Sequence, residues 1–305
     1  MSRRCGFAAV IGAPNAGKST LVNALVGSKV AIVSPKVQTT RMNVRGVAMR
    51  DETQIVFVDT PGIFKPRRRL DKAMVAAAWT GAGDADAVIH LVDAAEQIAH
   101  PGGHAAADTA SIIEGLKATN RKAALALNKI DAMKHAGLLP LADKLNAAGV
   151  YEHVFMISAL KGDGLDALGK WCVEKMPESP WLYPADQAAD IPSRLLAAEI
   201  TREKLYLRLH DELPYASAVE TEKWEERKDG SVKIDQVIYV QRDSQKPIVL
   251  GKGGATIKAI GAASRTELEE IFGRRVHLFL FVKVREDWAD KREHYREMGL
   301  EFPEE

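Results

Sequence analysis

Cysteine is scarce in this chain, and long apolar runs are absent from it. Only two of the 305 residues are cysteine, Cys5 and Cys172, and they are too far apart for a metal-binding pair. This usage argues against a disulfide scaffold and favours a reducing environment. No apolar run approaches the roughly 18 residues of a membrane-spanning helix. The sequence therefore predicts a cytoplasmic globular protein.

The chain also lacks an excess of charge of either sign. Its 42 Lys and Arg residues against 41 Asp and Glu residues leave a net charge of +1 at pH 7. Composition alone therefore does not indicate a nucleic-acid-binding protein. At about 150 residues per domain, the length predicts two domains. An apolar content of 46% is that of an ordinary globular protein.

A glycine-rich stretch near the N terminus matches the phosphate-binding pattern Gly-x-x-x-x-Gly-Lys-Ser/Thr. The stretch is Gly12-Ala13-Pro14-Asn15-Ala16-Gly17-Lys18-Ser19. A short apolar run precedes it and apolar residues at helical spacing follow it, so it lies between a predicted strand and a predicted helix. Lys18 would reach the β- and γ-phosphates, and the Ser19 hydroxyl would ligate Mg²⁺. The alternative is a glycine-rich turn that matches by chance.

Two later segments supply further candidate phosphate and metal contacts. Residues 30–41 are predicted to form a loop, in which Thr40 would give Mg²⁺ a second hydroxyl or would be an ordinary loop threonine. The apolar strand 54–58 ends in Asp59-Thr60-Pro61-Gly62. There Asp59 would hold the metal, usually through water, and the Gly62 N–H would meet the γ-phosphate; a plain turn is the alternative. The predicted phosphate-binding residues are Gly12, Ala13, Pro14, Asn15, Ala16, Gly17, Lys18, Ser19, Thr20, Asp59 and Gly62. The predicted Mg²⁺ ligands are Ser19, Thr40 and Asp59.

Position 63 lacks the glutamine that many small GTPases use to orient the attacking water. Ile63 cannot do this, so intrinsic hydrolysis is expected to be slow and no catalytic residue is assigned with certainty. The charged run 65–69 follows. It is predicted to be a mobile second switch segment. Its charges are predicted to form a solvated face, with a binding patch as the alternative.

The nucleotide base is indicated by Asn128-Lys129-Ile130-Asp131, which follows another apolar strand. Asp131 would accept two hydrogen bonds from guanine, whereas adenine would leave this carboxylate unpaired. The strand 154–157 leads into Ser158 and Ala159, whose backbone N–H would meet the guanine carbonyl oxygen. The predicted guanine-binding residues are Asn128, Lys129, Asp131, Ser158 and Ala159. His90, in the strand 87–93, is predicted to be a core histidine, and residues 94–103 a surface loop.

Strands and helices alternate throughout the first half, which predicts an α/β fold with a mostly parallel sheet and helices on both faces. The motifs fall at the carboxyl ends of the strands, where such folds bind ligands. Residues 1–177 are therefore predicted to form a GTPase domain of the phosphate-loop class. The proline-rich stretch 178–192 is predicted to be a linker.

Residues 193–305 show a different order of elements. A helix that Ser193 would cap is followed by a hairpin, a Gly-x-x-Gly loop, a second helix, the strand 275–285 and a short polar helix from Trp288. This order resembles an α+β KH (type II) RNA-binding domain, whose loop clamps single-stranded nucleotides. The predicted RNA-binding residues are Gly251, Lys252, Gly253, Gly254 and Lys258. A helix cap or a second phosphate site is the alternative, and 20 basic against 22 acidic residues in this half restrict RNA binding to a local groove.

Both halves together resemble an Era-type GTPase over nearly the whole chain. The resemblance is carried by the phosphate loop, Gln38-Thr39-Thr40-Arg41, the stretch 59–62, the stretch 128–131 and Ile157-Ser158-Ala159. In the second half it is carried by residues 198–205, by Glu212-Leu213-Pro214-Tyr215 and by the loop 251–254. The loop has Lys-Gly at its middle positions, whereas the family often has polar or basic residues at both. This departure leaves open which lysine contacts phosphate.

The resemblance implies binding to small-subunit (16S) ribosomal RNA near its 3′ end and a role in assembly of the 30S subunit. It also implies that GTP favours RNA binding and that hydrolysis to GDP releases the protein. Where a hydrophobic residue replaces glutamine, as Ile63 does here, related GTPases can use K⁺, and Asn15 would be its ligand. The resemblance further implies peripheral contact with the inner face of the cell membrane. Separately, we expect the protein to be a monomer.

Two other functions remain compatible with these patterns. One is a GTPase that serves RNA modification or transport and uses its second half only to dock partners. The other is a binding module whose nucleotide site is structural and does not turn over.

Overall fold

We describe a computed structural model of the protein, covering residues 3–210, 213–286 and 291–304. This part of the chain divides into two compact units. The first comprises Met1–Ala31, Thr40–Asp190 and Tyr295–Glu305, and the second comprises Ile32–Thr39 and Ile191–His294. Among the helices that the described residues form, none combines the length and the hydropathy that a membrane span needs.

The first unit contains a six-stranded sheet with helices on both faces. Its elements are β1 (Arg4–Ile11), α1 (Lys18–Val26), β2 (Val44–Arg50), β3 (Thr53–Asp59), α2 (Arg69–Gly83), β4 (Ala87–Asp93), α3 (Ala94–Ala99), α4 (His104–Ala118), β5 (Ala123–Asn128), α5 (Leu138–Asn146), β6 (Tyr151–Met156) and α6 (Leu165–Lys175). The strand order is β2-β3-β1-β4-β5-β6. All neighbours pair in parallel except β2, which runs antiparallel to β3 at the edge.

The alternation of strands and helices predicts this sheet, because each parallel neighbour needs a crossover that buries one sheet face. One apolar cluster on the sheet contains Leu21 of α1 and Trp171 of α6, and another contains Ala78 of α2 and Ile112 of α4. The loop predicted for residues 30–41 contains no helix or strand. The edge strand β2 is not among the strands that the sequence predicts.

The loop predicted for residues 94–103 is wrong, because its first part forms α3. The Asp93 carboxylate accepts a hydrogen bond from the Glu96 N–H at 3.0 Å and thereby caps the helix. Apart from Ile98, the residues of α3 are alanine, glutamate or glutamine, and these strong helix formers outweigh the surface-loop character of the run.

The stretch 178–190, which the sequence predicts to be part of a linker, follows the first unit in an extended path. The Ser179 N–H donates to the Arg3 carbonyl oxygen at 3.1 Å, and the Val47 N–H of β2 donates to the Ala188 carbonyl oxygen at 2.8 Å. The Gln54 side chain also bonds the backbone of Tyr183. These bonds place the stretch beside the first residues of β1 and β3 and then along the edge strand β2.

The second unit packs helices on one face of a three-stranded sheet. Its elements are α7 (Ser193–Arg208), β7 (Ser217–Glu226), β8 (Val232–Val240), α8 (Lys246–Leu250), α9 (Ala255–Phe272) and β9 (Val276–Val284). The strand order is β7-β8-β9, with β7 and β8 antiparallel and β8 and β9 parallel. Leu205 of α7, Ile238 of β8 and Ile260 of α9 lie in one apolar cluster. The hairpin, the helix order and the last strand thus follow the sequence prediction.

Two predictions concern where helices begin in this half. One is wrong, and the other falls outside the described residues. Ser193 does not cap α7: it is the first helical residue, Pro192 occupies the cap position and no side chain bonds there. Trp288, the predicted start of the last helix, lies outside the described residues. The helix that the structure does describe, α10, spans Arg292–Glu297.

Candidate functional site

The phosphate-binding loop connects β1 to α1, as its sequence context predicts. Gly17 lies just before α1 with a φ of 98°. A Cβ atom at this position would lie 2.5 Å from the Asn128 side-chain nitrogen. Glycine is therefore required here both by the left-handed backbone and by the close approach of Asn128.

Lys18 points back into the phosphate-binding loop rather than toward solvent. Its Nζ donates to the carbonyl oxygens of Gly12 at 3.2 Å and Ala13 at 2.9 Å. Burial lowers the pKa of Lys18 to about 8, although the nearby Asp59 carboxylate acts in the opposite direction. A buried ammonium that bonds mainly neutral carbonyls gains much from an adjacent anion. This environment suits a nucleotide phosphate.

Three oxygen donors converge where the sequence predicts a metal. The Asp59 Oδ2 lies 2.7 Å from Ser19 Oγ and 3.2 Å from Thr40 Oγ1, and the two hydroxyl oxygens are 2.9 Å apart. Asp59 Oδ1 is buried and has no hydrogen-bond partner among the described residues. Burial raises the pKa of Asp59 to about 6, while the Ser19 and Thr40 bonds and the Lys18 charge act in the opposite direction.

These donors fit Mg²⁺, which prefers hard oxygen ligands and keeps several waters or substrate oxygens. The described residues contain no cluster of three or more His, Cys, Asp or Glu side chains that would form an all-protein metal cage. The protein would therefore supply only part of the coordination, and phosphate oxygens the remainder. The roles of Ser19, Thr40 and Asp59 as Mg²⁺ ligands stay predictions.

Ile63 is buried in an apolar cluster, with 2% of its surface exposed. Its backbone N–H donates to the Gly12 carbonyl oxygen at 3.0 Å. A buried aliphatic side chain cannot orient a water molecule, which supports the expectation of slow intrinsic hydrolysis. The preceding Gly62 lies so close to the phosphate-binding loop that a Cβ would meet the Pro14 backbone nitrogen at 3.0 Å.

Asn128 connects two loops of the predicted guanine site. Its Nδ2 donates to the Ala16 carbonyl oxygen at 2.8 Å, and its Oδ1 accepts the Ala159 N–H at 2.9 Å. The Ala159 N–H, which we predict to meet guanine, therefore bonds Asn128 in this structure. Ser158 is fully buried and its Oγ accepts the Lys161 N–H at 3.0 Å.

The remaining guanine-site residues lie just after β5. Asp131 is exposed on a short 3₁₀ turn, so its carboxylate is accessible to a base. Lys129 has a left-handed backbone, with φ of 65°. Their roles in binding the base remain predictions.

One partner in this site is absent from the sequence prediction. Lys129 Nζ lies 2.6 Å from Asp93 Oδ2 at the carboxyl end of β4. Asp93 and Asn128 are register partners on the neighbouring strands β4 and β5. The sequence does contain a signal for this contact, because Asp93 ends an apolar strand. Neighbouring parallel strands bring their carboxyl ends together, so Asp93 could have been expected near Lys129.

His90 lies in the core on β4. Its Nδ1 is 2.8 Å from the Tyr151 hydroxyl, and its Nε2 has no hydrogen-bond partner among the described residues. Burial, assisted by the Lys18 charge, lowers the pKa of His90 to about 3. The side chain is therefore neutral at pH 7.

In the second unit, the Gly251–Gly254 loop connects α8 to α9. Gly251 has a φ of 71°, and a Cβ there would lie 2.8 Å from the Thr256 backbone nitrogen. The loop is closed by a 3.1 Å hydrogen bond from the Gly254 N–H to the Gly251 carbonyl oxygen. Lys252 and Lys258 are exposed beside it. The geometry gives an accessible backbone with two adjacent cations, as phosphate binding requires.

Comparisons with known proteins agree with both halves. A family model described as "50S ribosome-binding GTPase" matches residues 7–132, and one described as "KH domain" matches residues 212–289. GTPase Era of Maricaulis maris is 59% identical over 307 residues, which cover 98% of each chain. The chain belongs to the Era family of GTPases. GTPase Era of Sinorhizobium medicae is 61% identical over 300 residues, covering 98% of this chain and 94% of that relative.

Two solved Era structures match nearly the whole length of this chain. A variant of Aquifex aeolicus Era bound to GDP and AlF₄⁻ superimposes with a TM-score of 0.89 at 39% identity, covering 97% of this chain and 99% of that one. An Era complex with MgGDPNP and nucleotides 1506–1542 of 16S ribosomal RNA matches with the same values. The predicted fold class, a phosphate-loop GTPase domain followed by a KH domain, and the predicted GTPase activity are confirmed.

Proposed function

We propose that this GTPase is a nucleotide-dependent switch that binds 16S ribosomal RNA near its 3′ end and assists assembly of the 30S subunit. The observation that supports this most directly is the Era complex with MgGDPNP and nucleotides 1506–1542 of 16S ribosomal RNA, whose structure covers 97% of this chain. The accessible glycine loop beside Lys252 and Lys258 supplies the matching chemistry here. The division into residues 1–177, 178–192 and 193–305 is part of this proposal.

For GTP binding, we assign the phosphate contacts to the backbone and Lys18 of the loop, and the base contacts to Asn128, Lys129 and Asp131. Ser19, Thr40 and Asp59 would hold Mg²⁺, which neutralises charge on the β- and γ-phosphates when bound. Lys18 would bond the same phosphates. The Gly62 N–H would orient the γ-phosphate.

Hydrolysis needs a substitute for the missing glutamine, and we propose that K⁺ provides it. Asn15 is exposed on the phosphate-binding loop and has a left-handed backbone with φ of 61°. Its side-chain amide oxygen is a suitable ligand for a large monovalent cation beside the phosphates. The buried position of Ile63 supports the need for such a group.

RNA binding is assigned to Gly251, Lys252, Gly253, Gly254 and Lys258. Glycines let a sugar–phosphate backbone approach the main chain, and the two lysines would contact phosphates. A cytoplasmic location and a monomeric state remain predictions from the sequence, and peripheral membrane contact remains a prediction from the family resemblance.

The decisive experiment compares one RNA in three nucleotide states. The full chain is prepared without nucleotide, with GDP, or with Mg²⁺ and a non-hydrolysable GTP analogue. Each preparation is titrated against a fluorescent oligonucleotide from the 3′ end of 16S ribosomal RNA. We expect the GTP analogue to increase affinity, and a scrambled oligonucleotide to bind weakly in all states. Equal affinity in the three states would refute the switch. Binding no tighter than that of the scrambled oligonucleotide in every state would instead favour the partner-docking function.

A further inference from the structure

The segment Ile32–Thr39 follows α1, yet it belongs to the second compact unit. Ile32 is buried, with 4% of its surface exposed, in an apolar cluster that contains Leu196 and Ile200 of α7. Burial of its side chain removes apolar surface from water and so stabilises this contact. The segment is therefore anchored at its first residue by packing against α7.

Hydrogen bonds anchor the remainder of the segment to the same helix. The Val33 N–H donates to Glu203 Oε1 at 2.8 Å. Lys36 Nζ donates to the Leu209 carbonyl oxygen at 2.6 Å and also to the Tyr206 carbonyl oxygen. The last carbonyls of a helix lack partners within the helix, and a cation beside them interacts favourably with the helix dipole. Lys36 thus provides both a hydrogen-bond donor for these carbonyls and a positive charge at the end of α7.

Arg202 fixes the end of the segment. Its Nη2 donates to the Thr39 carbonyl oxygen at 2.5 Å, and only 2% of Arg202 is exposed. Its Nε donates to Glu199 Oε1 at 2.7 Å, so a carboxylate balances the buried charge and holds the guanidinium plane. The bond to Thr39 is thus made by a side chain whose orientation is already set.

The residue after this anchor is the predicted metal ligand. The Thr39 carbonyl and the Thr40 N–H belong to one planar peptide unit, so a bond that orients the first also orients the second. In the first unit, Thr40 Oγ1 lies 3.2 Å from Asp59 Oδ2 and 2.9 Å from Ser19 Oγ. The anchored segment ends at Thr39 and the predicted metal-binding hydroxyl belongs to Thr40, so one peptide bond connects the two.

We propose that Lys36 and Arg202 are positioning residues of the GTPase, which hold the segment Ile32–Thr39 on α7 so that Thr40 is presented to Mg²⁺ and the γ-phosphate. This rests on the proposed function, in which Thr40 is a metal ligand only when a γ-phosphate is present. Because such coupling is reciprocal, binding of Mg²⁺ and GTP also stabilises the segment on α7.

The test uses Lys36→Met in the full chain, which keeps the length of the side chain and removes its charge. Dissociation constants are measured for GDP and for a non-hydrolysable GTP analogue, each with Mg²⁺ and with EDTA. We expect the variant to weaken the analogue about tenfold with Mg²⁺ and to leave GDP within about twofold. Lys228→Met, in the exposed turn between β7 and β8, is the matched control and should change neither constant.

A double-mutant cycle with Thr40→Ala separates the possible failures. If Lys36 acts through Thr40, the loss caused by Lys36→Met should disappear in the Thr40→Ala background. Equal loss for GDP and the analogue, or full additivity with Thr40→Ala, would overturn the positioning role. If Thr40→Ala alone left the Mg²⁺-dependent affinity unchanged, the metal assignment itself would be wrong.

Arg202→Lys provides a second variant, which keeps the charge beside Glu199 but loses the planar donor group. It should show the same selective loss for the GTP analogue. Thermal unfolding of each variant without nucleotide checks that the folded chain is being compared. Both Lys36→Met and Arg202→Lys should lose their selective effect on the GTP analogue in the Thr40→Ala background. If only one of the two variants did so, the shared positioning role would be overturned.

Discussion

The side-chain nitrogen of Asn128 donates a hydrogen bond to the carbonyl oxygen of Ala16 at 2.8 Å. The first residue ends β5 and the second lies in the phosphate-binding loop, 112 positions earlier. The same amide accepts the Ala159 N–H through its oxygen. One side chain thus holds together the loops that we assign to the phosphates and the base.

Asn128→Ala should weaken GDP and GTP alike. The substitution leaves two buried backbone groups without their partner, at a cost of about 1–3 kcal/mol each. Calorimetric titration should show a loss on the order of 100-fold or more for both nucleotides, with a lower melting temperature of the empty protein. Asn146→Ala, at the exposed end of α5, is the control. A loss confined to GTP would contradict the bridging role.

Asp131→Asn should change the preferred base. Guanine offers two donors to the carboxylate, whereas xanthine has a carbonyl where guanine has its amine, so an amide suits xanthine better. We expect affinity for GTP to fall on the order of 100-fold and affinity for XTP to exceed it. Competition binding of the two nucleotides measures this ratio. Asp143→Asn on α5 should retain the preference for GTP; if Asp131→Asn also retained it, the base site would be misassigned.

Gly253→Asp should abolish RNA binding and spare GTP hydrolysis. Gly253 has a φ of 59°, and a Cβ atom at this position would have no other atom within 4 Å. Aspartate tolerates this backbone region, so the main effect is a negative charge and a side chain where RNA phosphates would approach. Electrophoretic mobility shift and phosphate release measure the two activities.

Gly273→Asp is a closely matched control for this prediction. Gly273 follows α9 in the same unit, has a φ of 60° and has equally open surroundings. Its substitution makes the same charge change at a distance in sequence from the Gly251–Gly254 loop. If both variants lost RNA binding equally, the effect would reflect net charge and not this loop.

Potassium should stimulate hydrolysis more than sodium at equal ionic strength. A cation held by Asn15 would stabilise the charge that develops in the transition state, with a rate gain on the order of tenfold or more. Asn15→Gly keeps the left-handed backbone, removes the ligand and should abolish the difference. Asn120→Gly, at a second asparagine with positive φ, should retain it. Equal rates in both salts for the unaltered protein would exclude Asn15 as a potassium ligand.

His90 should make the stability of the nucleotide-free protein depend on pH. Its pKa is about 3 in the folded chain, because burial disfavours the charged ring, and about 6.5 when unfolded. The unfolded state therefore binds the proton more tightly between these values. This contribution to stability is fully present above pH 6.5 and is lost as pH falls, by up to about 1.4 kcal/mol per pH unit.

Urea unfolding between about pH 4.5 and 8 measures this dependence. His90→Gln keeps a polar partner for Tyr151 and removes the titration, so its stability should fall less steeply below pH 6.5. His153→Gln, at an exposed histidine on β6, is the matched substitution for comparison. Identical slopes for His90→Gln and the unaltered protein would show that another group is responsible.

Local patterns in the sequence were sufficient to predict most helices and strands. Apolar residues show the periodicity of each element, and turn residues mark where it ends. The run 94–103 shows where they failed. Its alanines suit a helix, but the cap depends on the Asp93 carboxylate turning back to the Glu96 N–H. Asp93 followed three positions later by Glu96 is nevertheless a helix-start signature in the sequence, and the loop prediction missed it because it rested on the alanine and glycine content of the run.

The sequence by itself determined the order of the nucleotide motifs, the guanine preference that we predict and the two-part architecture, because each rests on residues that are adjacent in the chain. Only the tertiary structure decided that Lys129 pairs with Asp93, that residues 178–190 bond to β3 and the edge strand β2, and that Ile32–Thr39 packs against α7. The partners in these contacts are far apart in the chain, and Lys36 and Leu209 are separated by 173 positions. Such pairs depend on how buried surfaces fit together, and no periodicity in the sequence records that fit.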